Sequence, residues 1–111
     1  MRQAPWASST FWLYTLLLDK SICGLDRRTL LRHLEHARIQ SRPLWQPLHL
    51  SPAHKRSHYG DLPVAERLNS EALSLPCSVG LSALEQQRVV DVVLDTLAKA
   101  KAGRLGHWEK E

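Results

Sequence analysis

The sequence predicts an α+β domain in two layers, a small, mainly antiparallel sheet packed against about three helices. Three observations lead there. Strand-like apolar runs alternate with stripes at helical spacing, in the order strand, helix, short strand, loop, helix, strand, helix. The last helix opens on a capping box. And 111 residues, 43% hydrophobic and 23% charged, suffice for one modest core and hardly for two domains. No internal repeat is present. The organisation expected is a leader of little structure over 1–10, a single domain over 11–102 and a polar tail over 103–111.

The elements follow in order. Phe11 to Leu18 is a near-continuous apolar run and reads as a strand buried on both faces. Gly24 and Asp26 then punctuate the chain. Asp26 is a candidate N-cap, because its carboxylate can accept from the free amides of a first helical turn. Leu30, Leu31 and Leu34 recur at helical spacing and Ile39 closes a helix of about three turns. Pro43, Pro47 and Pro52 then exclude a helix and leave at most a short edge strand in a long loop over 40–61. Loops of that length in a compact domain are often functional. Asp61 reads as the next N-cap, with Pro63 in the first turn and a stripe of Val64, Ala65, Leu68 and Ala72. A short strand, Leu73 to Leu75, ends at Pro76. Ser82 and Glu85 form the capping box, Val90, Val93, Leu94 and Leu97 a helical stripe, and Gly103 terminates a helix running to about Lys101.

Fifteen Lys and Arg against eleven Asp and Glu give a net charge of +4. These charges are scattered and few aromatics lie among them, which favours a solvated basic surface over a nucleic-acid interface. Cys23 and Cys77 are too far apart for a zinc motif or a disulfide framework and predict buried, reduced thiols in a cytoplasmic protein. Arg2, the Phe11–Leu18 run and Ser21-Ile22-Cys23 resemble an export signal. The apolar run is short for one, however, and Asp19 and Lys20 sit where a signal stays uncharged.

Two constellations could carry chemistry. His49, His54 and His58 invite a metal reading, but Pro52 and Gly60 flank the i, i+4 pair and no cysteine or carboxylate completes a site nearby, so no metal is expected. The stretch Arg42-Pro43-Leu44-Trp45-Gln46-Pro47-Leu48-His49 is more informative. Proline-stiffened backbone lowers the entropy of holding an arginine that can clamp a phosphate or carboxylate, an indole that can stack and an imidazole that can donate or accept. Composition leaves the alternative open that Trp45 is core and Arg42 a surface ion pair. No nucleophile elbow or glycine-rich phosphate loop occurs, and the glycines are spread singly.

That same stretch, followed by Pro52, resembles the small-domain loop of the DegT/DnrJ/EryC1/StrS family of pyridoxal-phosphate-dependent nucleotide-sugar aminotransferases. The flanks resemble it too: Phe11 to Asp19 its first small-domain strand, Pro63 to Leu68 and Leu73 to Pro76 its helix-then-strand signature, and Leu81 to Leu94 its closing helix with a Leu-x-x-x-x-Gln-x-x-Val pattern. The likeness covers roughly residues 5–100 and implies the C-terminal small domain of such an enzyme, with Arg42, Trp45 and His49 as its substrate-side contacts and no catalytic residue. In the family the Schiff-base lysine, the carboxylate at the pyridine nitrogen and the phosphate-binding groups lie in a large domain that this sequence does not resemble. Lys20, Lys55, Lys99 and Lys101 fall outside the cofactor-lysine motif. The resemblance therefore implies pyridoxal phosphate in the full-length enzymes, none held by this chain, and no transamination by this chain alone. The ligand it implies is a nucleotide sugar and one partner the missing large domain. The alternative is an orphan interaction module, in which the apolar surface that once met the large domain favours a homodimer or another protein partner. Neither nucleic acid nor a membrane is expected.

Overall fold

The computed structural model describes residues 3–54 and 56–105. Its centre is β3 (Ala72–Leu75), paired antiparallel on one edge with β1 (Tyr14–Leu17) and on the other with β2 (Arg42–Pro43). Ala72 and Leu73 are fully buried. The Leu16–Leu73 cross-strand pair joins the core, while the next pair, Thr15 and Ser74, brings two hydroxyl oxygens within 3.4 Å. This alternation is what a sheet with one core-facing side requires.

The helices supply the other layer. A single turn, α1 (Lys20–Cys23), is capped by Asp19 and ended by Gly24 at φ 75°, a left-handed position that glycine adopts without a side-chain clash. The second helix, α2 (Arg27–His36), starts as the sequence predicts: Asp26 Oδ1 accepts from the Thr29 amide at 2.9 Å and the Thr29 hydroxyl at 3.0 Å. Leu30 and Leu34 are fully buried and form the core with Leu18, Leu25, Ile39, Leu73, Val89 and Val93. Helix α2 ends in a Schellman arrangement. Ile39 N–H donates to Leu34 O and Arg38 N–H to Glu35 O, with Arg38 at φ 57° where glycine is usual. The last helix, α4 (Ala83–Lys101), has both halves of its capping box and the same C-terminal arrangement with Gly103 at φ 65°.

Four expectations need correction. The first strand spans four residues and is an edge, with Tyr14 and Leu17 about half exposed, because the shorter run at 72–75 takes the centre with a neighbour on each side. Helix α3 (Pro63–Glu71) is capped by Leu62 without a side-chain bond, not by Asp61, and Pro63 at its first position needs no amide partner. Ala72 leaves the helical stripe and opens β3, so helix and strand join with no loop. On α4 the buried face is Val89, Val93 and Thr96; Val90 and Leu94 are exposed. Thr96 serves in that face because its hydroxyl donates to the Val92 carbonyl at 2.7 Å. Cys23 and Cys77 are free thiols, half-buried.

The described part of the expected leader holds no helix or strand, and Leu105, inside the expected tail, packs against the core. The rest of that tail, from Gly106, lies outside the described residues. Among the described residues no helix is long and apolar enough to cross a membrane.

Candidate functional site

The proline-rich loop is anchored at both ends. Its start is β2, where Arg42 pairs with Ser74 and Pro43 with Leu73. Beyond it, the Asn69 side-chain amide on α3 donates to Leu44 O at 2.9 Å and Trp45 O at 3.0 Å. Pro47 leads into a 3-10 turn at Leu48–Leu50, closed by Leu50 N–H to Pro47 O, and a second turn follows at Pro52–His54. Gln46 donates to Leu50 O at 3.0 Å. The backbone polar groups of a segment too proline-rich for regular structure are thus met by turns and side chains.

The loop's three candidate residues part company. Arg42 is exposed on the wall of a cleft of about 760 Å³ and makes no ion pair among the described residues. Trp45 is 76% exposed, which excludes the core reading, and stands edge-on to Trp12 with ring centroids 6.4 Å apart. His49 is buried. Its Nε2–H donates to Glu66 Oε1 at 2.9 Å and its ring lies 5.1 Å from that of Tyr59. It lines a second, smaller cleft of about 450 Å³ with His54 and His58. Among the described residues no three His, Cys, Asp or Glu side chains come together to hold a metal.

The larger cleft gathers residues that sequence reasoning missed. Arg38 and Arg88 join Arg42, and Trp12 forms part of the rim. Arg88 Nη2 donates to the Ala37 carbonyl at 2.6 Å, which fixes that guanidinium across the end of α2. The one carboxylate in the lining, Glu85, is turned to Ser82, whose hydroxyl and amide hold it below the usual carboxylate range. Three guanidiniums against one committed carboxylate favour an anion. Ser41 Oγ is buried in the same wall without a hydrogen-bond partner among the described residues. Phe11 and Arg38, the non-glycine residues with positive φ among those described, both line the cleft. Backbone strain of this kind collects where a site must be held in shape. One signal for Arg38 was available: it follows the last turn of α2, where a glycine would be expected. Arg88 and Trp12 gave none, since each fits a helix or strand pattern.

No lysine lines either cleft among the described residues. Lys99 is engaged on the surface of α4 with Asp95 at 2.6 Å.

Known proteins match both sequence and fold. The chain is 31% identical over 80 residues to GDP-perosamine synthase of Caulobacter vibrioides, covering 72% of this chain and 21% of that protein. It is 37% identical over 90 residues to the putative pyridoxal phosphate-dependent aminotransferase EpsN of Bacillus subtilis, covering 78% and 22%. The crystal structure of the aminotransferase TlmJ from Streptoalloteichus hindustanus superposes with a TM-score of 0.72 at 31% identity, covering 85% of this chain and 24% of that one. The chain thus spans between a fifth and a quarter of these relatives. The sequence profile of one family matches residues 1–94, across the sheet, the proline-rich loop and most of α4. By sequence and by fold alike, the chain belongs to the DegT/DnrJ/EryC1/StrS aminotransferase family.

Proposed function

We propose that the chain is the C-terminal small-domain portion of a pyridoxal-phosphate-dependent sugar aminotransferase. It supplies the substrate-side wall of the active site, and the cofactor chemistry belongs to residues outside it. The observation that carries this reading is the cleft of Arg38, Arg42 and Arg88 beside the exposed Trp12–Trp45 pair. Guanidiniums suit the diphosphate of a nucleotide sugar, and indole faces suit a sugar ring or a base. The test is transamination of a nucleotide-linked keto-sugar by the pure chain supplied with pyridoxal phosphate and an amino donor. No turnover is expected from the chain alone, and turnover is expected when a family large domain is added. Turnover by the chain alone overturns the reading.

A second reading, an interaction module that forms a homodimer or pairs with a protein partner, draws on exposed aromatic surface: Trp6, Trp12 and Trp45 are all more than two-thirds exposed. Light scattering tests its homodimeric form. A monomer at high concentration removes that form and leaves pairing with another protein.

A further inference from the structure

His49 is gripped through one ring nitrogen. Its side chain is 5% exposed and its Nε2 lies 2.9 Å from Glu66 Oε1. A carboxylate oxygen accepts, so the ring hydrogen sits on Nε2, and in the neutral imidazole Nδ1 is then a lone-pair acceptor. Nδ1 has no hydrogen-bond partner among the described residues. The ring cannot turn over without losing Glu66, because that rotation exchanges Nε2 with a carbon.

Helix α3 is built for this grip. Glu66 and Asn69 are three residues apart and so share a face. Both reach the loop, one to the His49 ring and the other to the carbonyls of Leu44 and Trp45. Helix α3 has no fully buried residue, so its attachment to the loop is polar. The smaller cleft that His49 lines has apolar walls at Pro47, Leu48 and Leu62 and polar ones at His54, His58 and Tyr59; the apolar walls sharpen the discrimination a hydrogen-bond acceptor gives.

We propose that Glu66 is a positioning residue: it fixes His49 as the Nε2–H form and leaves Nδ1 as an acceptor that selects a donor, a hydroxyl or amino N–H, on the bound molecule. The identity of that molecule rests on the function proposed above; the tautomer does not. The site is thereby divided. Anionic groups go to the arginine cleft, and hydrogen-bond donors go to His49.

The test is two-bond proton–nitrogen NMR of the histidine rings in the full chain, at mildly alkaline pH. His49 is expected with hydrogen on Nε2 and Nδ1 unprotonated. His33 is the internal control: its Nδ1 faces the Thr29 carbonyl oxygen at 2.9 Å, so it should show the opposite form. Glu66→Arg sets a donor against Nε2 and should invert His49. Glu66→Gln, whose carbonyl can still accept, should retain it and shows that the fold survives if the arginine variant does not express. With GDP-mannose as probe, Glu66→Arg should lower affinity about tenfold and Glu66→Gln should change it little. The added positive charge would by itself favour this anionic probe, so a loss is informative. His49 found as Nδ1–H in the parent chain, or inverted in Glu66→Arg with affinity unchanged, overturns the proposal. An Nε2–H form in a chain that ignores every nucleotide sugar upholds the role of Glu66 and overturns the function instead.

Discussion

Two parts of the molecule are held by opposite means. The α2–α4 side is a mainly apolar core: Leu30, Leu34, Val89 and Val93 are buried, and polar groups enter at the caps and at Thr96, whose hydroxyl is satisfied by its own helix. The side made by α3 and the proline-rich loop is joined by Glu66 and Asn69, and α3 buries no residue fully. Apolar burial is strong and tolerant of direction. Hydrogen bonds are weaker in net terms but fix orientation. The fold therefore spends its hydrophobic residues on stability and its polar ones on placing the loop.

That contrast can be broken by mutation. Leu34→Ala should have the largest effect, a loss of about 2–5 kcal/mol in denaturant unfolding, because it opens a cavity in the packed core. Asn69→Ala strands two loop carbonyls and should cost about 1–2 kcal/mol; amide exchange should quicken over 44–50 and stay unchanged over α2. Asp26→Ala removes a cap and should cost about 1 kcal/mol by thermal melting. The Thr29 amide, mainly, holds the Asp26 carboxyl below its usual range. Its contribution is thus present above about pH 4 and is lost as pH falls through the lowered folded value, so the Asp26→Ala deficit should shrink in acid.

Arg38→Gly relieves a left-handed residue and should stabilise by about 0.5–1 kcal/mol, while isothermal titration shows weaker binding of anions to the cleft. Trp45→Ala should be the smallest in stability, within about 0.5 kcal/mol, since its ring is mostly in solvent.

The contrast also explains what could be seen in the sequence. Asp26, the Ser82–Glu85 box and Gly103 were legible because each acts on backbone within a few residues of itself. The order of elements was legible for the same reason. The exposure of Val90 and Leu94 was not, since the buried face of α4 is chosen by α2 and not by the helix's own leucines. The edge position of β1 depends on a partner more than fifty residues away. In the candidate site, Arg42, Trp45 and His49 stood out as residue types on a stiff backbone. The separation of Arg42 and His49 into two clefts did not, because it depends on Glu66 and Asn69 from α3 and on Arg38 and Arg88 from the other layer.

The central claim is that this small domain presents a substrate wall without cofactor chemistry of its own. The most direct measurement is an amide-correlation NMR titration of the chain with a panel of nucleotide sugars. The account predicts saturable shifts at Arg38, Arg42, Trp45 and Arg88, with α1 silent. A well-dispersed spectrum that ignores every nucleotide sugar would contradict it.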